Sequence, residues 1–441
     1  MHYPQLAFHK SRRNELLEKL DKHSLALIFG ATFKHKSYDY DFPLKQNRNF
    51  FYLTGFEEPN AALLLAPEEL KVYEGKKFKR VNEILFVQEK DKSREVWTGK
   101  RLGFENVKKE LGIEHGIVNT ELLNFLTTSL TPQINKLYIN IPELYALTGE
   151  MKKIMAGFYE SLFTIVPNVQ LIDINYTIGK MRYVKTDYEI LRMKQSADIC
   201  VNAFEDAITQ IKEGLHEYQV QSILEYNYKS YGASDTAFNT IVASGNNACT
   251  LHYESNRDTL NNGDLVLIDS GCEFRGYNSD ITRTVPVNGK FSAEQKAIYE
   301  LVLKVQKDII KKIKPGVKLS YLKSHTREEL AKGLIELKII NKKEEVLKYY
   351  MHGVGHHLGL DTHDAVKFGY DEDFDYDILK EGNIITVEPG LYISEDSDAP
   401  QLFKGIGVRI EDDVLVTKAG NEVLTSALAK ETEEIEDLMS R

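Results

Sequence analysis

Residues 264–287 read DLVLIDSGCEFRGYNSDITRTVPV. The apolar run before Asp269 has strand character, and Asp269 would point inward at its end. Gly271 and Gly276 allow the chain to reverse, and Asp280 then returns on the neighbouring strand. A hairpin of that length can set the two carboxylates side by side. Paired inward carboxylates repel, which costs free energy unless a cation or a shared proton compensates.

Two further carboxylates are placed in the same way. Glu388 closes the apolar run NIITV and precedes Pro389-Gly390, and Glu411 follows GVRI on a strand. Read singly, a strand glutamate more often lies at an edge or faces solvent. Between the two pairs lies MHGVGHHLGLDTHD (351–364), with His352, His356, His357 and His363. The His352–His356 spacing resembles a helical zinc pair, but three glycines disfavour a helix and no HExxH is present. One histidine as ligand, with the others hydrogen-bonding, is the better reading; His357 is read as a packing or surface residue. Four carboxylates and one imidazole form a hard, oxygen-rich set suited to manganese, cobalt or zinc. Their charges balance two divalent ions, the arrangement used in two-metal hydrolysis.

Outward from these motifs, the chain divides. Residues 11–23 have helical spacing, and SLALIFG (24–30), FFYLTGF (50–56), AALLLAP (61–67) and NEILFVQ (82–88) read as strands. Residues 121–130 read as a helix, and 137–141 and 169–174 as later strands. From Asp187 the pattern turns strongly helical, with long helices expected over 187–211, 216–232, 293–313 and 320–337. Strands are expected at 239–245, 264–274, 281–287, 383–393 and 407–417, and a solvated helical end at the C-terminus. An α/β N-terminal domain over 1–174 and an α+β domain over 175–441 follow. DEDFDYD (371–377) reads as an acidic surface loop, and REVWTGKRLG, around the lone Trp97, as a surface loop.

Composition sets the bounds. In 441 residues, 42% are hydrophobic and 28% charged, which suits a sizeable globular core. The net charge of −10 argues against a nucleic-acid-binding surface spread over the chain. Cys200, Cys249 and Cys272 form no CxxC pair and make a poor disulfide framework. With no signal-peptide core near the start and no run of eighteen apolar residues, a cytoplasmic protein without a membrane span is expected.

The motifs LIDSG, SDITRT, HGVGHHLGLDTHD, ITVEPGLY and GVRIEDD resemble, in order and spacing, those of the pita-bread metallopeptidases. That family includes methionine aminopeptidase, aminopeptidase P, prolidase and creatinase. The segments FPLKQNRNFFYLTGFEEPNAALLL and EVWTGKRLG are similar to bacterial aminopeptidase P, so the resemblance spans nearly the whole chain. It implies removal of the N-terminal residue from peptides with proline at position two. It also implies two metal ions held by Asp269, Asp280, His356, Glu388 and Glu411, with Glu388 also shuttling a proton. By the same resemblance His252 would lie near the scissile carbonyl, and His363 would serve the tetrahedral intermediate or the leaving nitrogen. His352, Tyr392 and Arg409 would line the proline side, and Asp39 and Trp97 would form an outer wall. A homodimer or homotetramer is implied as well. One departure is that bacterial aminopeptidase P carries an arginine in the loop after HD, where this chain has DEDFDYD. Prolidase is the nearest rival, sharing the metal set. A non-enzymatic peptide- or protein-binding module of the same fold is disfavoured, because all five ligands are present.

Overall fold

The computed structural model describes residues 6–74, 77–129, 133–141, 147–364 and 375–441. The chain forms two compact units, Met1–Met181 and Arg182–Arg441.

In the first unit, strands β1 (Ser24–Phe29), β4 (Ala62–Glu74), β5 (Lys77–Val87), β6 (His115–Val118), β7 (Lys136–Ile139) and β8 (Gln170–Asp173) build one sheet. Its order is β6-β5-β4-β1-β7-β8, mixed parallel and antiparallel. A small hairpin of β2 (His35–Ser37) and β3 (Tyr40–Asp41) stands apart from the sheet. Leu25, Leu27, Leu64 and Phe86 pack from the sheet against Leu122, Leu126, Phe158 and Leu162 of two helices.

Two expectations fail here. FFYLTGF is not a strand but lies largely in the helix Arg48–Thr54. Asn47 caps that helix by accepting from Phe50 N (2.8 Å), and Gly55 closes it at φ 62°. A short, wholly apolar run carries no period that separates strand from buried helix. Trp97 lies not on a loop but on the helix Lys92–Thr98, whose N-cap is Asp91; none of its residues is buried.

The second unit packs long helices on short sheets. The helices Asp187–Ile208, Glu217–Ser230, Ala293–Lys312 and Leu319–Glu336 bury Phe204, Leu224, Val302 and Leu330 in one core. A capping box between Thr186 and Glu189 starts the first of them. The strands are β9 (Asp235–Thr236), β10 (Ile241–Ser244), β11 (Leu265–Ser270), β12 (Cys272–Phe274), β13 (Tyr277–Asn278) and β14 (Ile281–Pro286), then β15 (Ile384–Val387), β16 (Gly390–Ile393), β17 (Ile406–Arg409), β18 (Asp412–Thr417) and β19 (Gly420–Val423). They form the sheets β10-β11-β14, β13-β12-β9 and β15-β18-β19, with a β16–β17 ribbon. The C-terminal helix Thr432–Met439 is not simply solvated, since Ile435 and Leu438 enter the core.

Three runs expected as continuous strands are broken. The break at Gly271 divides 264–274, that at Glu388-Pro389 divides 383–393, and that at Ile410-Glu411 divides 407–417. Gly271 is required at its break, because a Cβ there would lie 1.8 Å from Ser279 O. Asp269 faces Thr282 across β11–β14, and Thr282 bridges in turn to Glu411, so the acidic positions converge.

Beneath the convergence, Arg283 and Asp412 form a fully buried pair at 2.8 Å. Arg283 also donates to Glu411 O at 2.6 Å, and Lys430 and Gln306 donate to Asp412. Removing one member of a buried pair strands the other charge. Asp412→Ala should therefore destabilise the protein by about 3–5 kcal/mol in denaturant unfolding.

Candidate metal centre

Asp280, His356 and Glu411 each offer a ligand atom, and these atoms lie within 4.8 Å of one another. Asp280 immediately precedes β14, and Glu411 sits in the gap between β17 and β18. His356 is carried by the glycine-rich segment, which runs along β15: Thr386 N donates to His356 O (2.9 Å) and Glu388 N to Val354 O (2.8 Å). A Cβ on Gly355 would lie 1.9 Å from Thr386 O, so this close approach needs glycine. His356 Nε2 is 3.6 Å from Asp280 and 3.9 Å from Glu388. Its Nδ1 lies 3.0 Å from His357 O. A carbonyl can only accept, so Nδ1 donates to it, and Nε2 is the nitrogen turned to the carboxylates.

Asp269 joins them from β11. One of its oxygens accepts from Arg409 Nη2, while the other is buried without a hydrogen-bond partner, as is Asp280 Oδ1. Burial, first, and then the neighbouring carboxylates push the Asp280 and Glu411 carboxyls well above their ordinary range. Burial also raises Glu388, against the pull of His356 and Arg409. Buried orphan oxygens, mutually repelling carboxylates and an imidazole nitrogen turned toward them fit divalent cations.

A hydrogen-bonded chain borders the cluster. Arg409 donates to the Tyr392 hydroxyl (2.9 Å), which lies 2.7 Å from His352 Nε2. His352 Nδ1 is 2.7 Å from Gly353 O and 3.7 Å from Glu388. Burial, helped by Arg409, lowers the His352 pKa to about 4. The His363 ring is 4.2 Å from that of His356. His363 is held below its usual pKa by burial and by the nearby His356 and His252. His252 is thus near enough to both His363 and His352 to disfavour their protonated forms. His357 is buried against the Tyr183 ring at 4.5 Å, as a packing residue. Asp39 and Trp97 are exposed on the first unit, in the turn between β2 and β3 and on the helix Lys92–Thr98. Of the acidic stretch 371–377, residues 371–374 lie outside the described residues.

Several residues of the centre were not singled out from sequence. Thr282 donates to Glu411 at 2.7 Å, and Asp413 accepts from Asp280 N. Arg182 and Lys185 pair with the buried Asp364, which pins the segment bearing His363. Arg283 had a readable signal, a cation inside the apolar strand ITRTVP.

The second unit is thus a hydrolase scaffold built round a buried acidic cation site. Residues 191–418 match metallopeptidase family M24, and residues 9–138 match the aminopeptidase P N-terminal domain. A Xaa-Pro aminopeptidase of Haemophilus influenzae is 38% identical over 98% of this chain and 96% of that protein. Escherichia coli aminopeptidase P with the inhibitor Pro-Leu superposes with a TM-score of 0.89 at 33% identity, covering 99% and 98% of the two chains. Proline aminopeptidase P II of Yersinia pestis gives 0.88 at 34%, covering 99% and 100%. The chain belongs to metallopeptidase family M24, in its aminopeptidase P branch, and has the pita-bread fold.

A carboxyl raised in the folded state holds its proton where the unfolded chain has lost it, so its contribution to stability falls as pH rises. For Asp280 and Glu411 this loss begins near the ordinary carboxylate pKa of about 4. Bound cations remove the penalty. The melting-temperature gap between metal-loaded and chelator-treated protein should therefore widen from about pH 4 upward. Thermal scans across pH, with and without chelator, measure it.

Proposed function

We propose that the chain is a metal-dependent aminopeptidase releasing the N-terminal residue from peptides with proline at position two. The observation that carries this is the convergence of Asp280, His356 and Glu411, with Asp269 and Glu388, beside the Arg409–Tyr392–His352 chain. The similarity to Xaa-Pro aminopeptidases over nearly full length supports it. In this reading Asp269, Asp280, His356, Glu388 and Glu411 hold two divalent ions, manganese by preference, with cobalt or zinc as alternatives. Such ions, when bound, activate water and polarise the scissile carbonyl.

The chain's own groups do the rest. Glu388, partly open to the site, accepts the proton of the attacking water. His252 faces the scissile carbonyl and stabilises the developing oxyanion. The departing proline nitrogen is tertiary and must gain a proton; His363 or Glu388 supplies it. His352, Tyr392 and Arg409 order the proline side.

On the first unit, Trp97 is 87% exposed, an unusual position for so large a ring. We assign it, with Asp39, to the pocket beyond proline, completed in a homodimer or homotetramer. Three free cysteines suit a cytoplasmic location. Among the described residues no helix is long and apolar enough to cross a membrane.

Hydrolysis of Xaa-Pro-Yaa compared with Xaa-Pro, under manganese, cobalt and zinc, separates this activity from a prolidase, which would prefer the dipeptide. Asp280→Asn should abolish turnover, and His363→Ala should lower kcat on the order of 100-fold with a smaller change in KM. Trp97→Ala should impair longer peptides more than a minimal substrate while leaving metal content intact. A fully active monomer in light scattering would end the inter-subunit part.

A further inference from the structure

Glu217 opens the helix Glu217–Ser230, and its carboxylate is fully buried. Its five hydrogen-bond donors are all neutral. Oε1 accepts from Ser244 N (2.8 Å), Ser244 Oγ (3.0 Å) and Asn247 Nδ2 (3.1 Å). Oε2 accepts from the Tyr253 hydroxyl and from Asp258 N, both at 2.9 Å. Glu217 N donates to Asp258 O at 3.0 Å. The donors thus come from both ends of the segment 244–258 and from Tyr253, next to His252 near its middle.

That segment has little structure of its own. After the short 3-10 turn Gly245–Cys249 it forms no helix or strand until Thr259 bridges to His216. Asn256 ties it to β10, accepting from Val242 N and donating to Thr240 O. Leu251 and Tyr253 pack against a small buried cluster that includes Tyr392, so the segment is seated on the ordered wall of the site. His252 itself is exposed and has no anchor of this kind.

We propose that Glu217 is a positioning residue that fixes His252 against the scissile carbonyl. This rests on the role given to His252 above. The carboxylate suits the task because an acceptor-only group can gather five donors. An amide cannot. Glu217→Gln replaces one oxygen by an NH2 group, and in either orientation of the new amide that group meets a backbone N–H, of Ser244 or of Asp258. Neither backbone group can reverse, so the segment must shift.

A double-mutant cycle tests this. Glu217→Gln should lower kcat on the order of 100-fold, the scale of a small misplacement, with a much smaller change in KM. In a His252→Ala background it should add no further loss beyond about twofold. Metal content, measured by elemental analysis, should match the wild type throughout. Tyr253→Phe removes one donor without introducing a clash. It should show a milder loss with the same non-additivity, and it decides the matter if Glu217→Gln does not fold. An equal loss of kcat in both backgrounds, or a loss that tracks metal content, overturns the proposal. A wild-type kcat in His252→Ala alone instead overturns the role of His252, and with it the reason for a positioning residue.

Discussion

Mutual repulsion among buried carboxylates is the constraint on which the second unit is built. Asp280 and Glu411 are buried to a few per cent exposure; burial disfavours the charge on both, reinforced by Asp269 and Glu388 and, for Glu411, by Asp280. Among the described residues, nothing around them supplies enough fixed positive charge to settle both. Arg409 pairs with Asp269, not with Glu411. The protein therefore keeps a charge deficit at its centre that an exchangeable cation can fill, and metal binding becomes part of the stability of the fold.

Elsewhere in the same unit, the buried acids Asp412 and Asp364 are neutralised by fixed side chains. Glu411, Asp412 and Asp413 are consecutive, yet each has a different environment. Glu411 turns into the site. Asp412 is held by Arg283 and Lys430, which lower its pKa to about 2 although burial opposes them. Asp413 accepts from the backbone of Asp280, and burial raises its carboxyl well above the ordinary range. Asp364 is held low by Arg182 and Lys185. Permanent ion pairs thus brace the elements around a centre whose own charges are left open. The strand breaks at Gly271, Glu388 and Ile410 serve the same end, since a continuous strand would send alternate side chains to opposite faces.

Much of this was legible. Asp269, Glu388 and Glu411 stand out because each follows an apolar run at a strand end, and Asp280 because the hairpin returns it beside Asp269; charge at such positions needs a reason. The long helices were legible from their period and caps. What escaped reading was what local pattern does not encode. FFYLTGF is apolar throughout and has no period, and its helix is decided by Asn47 and Gly55 at its ends. Glu217 is an ordinary first-turn glutamate in sequence, and its five donors come from residues 27 to 41 positions away. The Arg182–Asp364 pair spans 182 positions. Tertiary partners of this kind leave no mark on either local sequence.

The same donor and acceptor logic fixes the protonation of His352. His352 Nδ1 faces the Gly353 carbonyl, which can only accept, so that nitrogen bears the proton. Arg409 can only donate, so the Tyr392 hydroxyl accepts from it and turns its own hydrogen to His352 Nε2. The chain Arg409–Tyr392–His352–Gly353 therefore runs in one direction, with each donor satisfied. A second proton on His352 would leave the Tyr392 hydrogen facing a donor, which agrees with a pKa lowered to about 4. His356 obeys the same rule at Nδ1 through His357 O, with Nε2 on the side of the carboxylates. His352 thus stands neutral beside an acidic centre, held so by burial and by Arg409. His352 therefore adds no positive charge to the centre, and a cation held by the carboxylates is the group that can complete it.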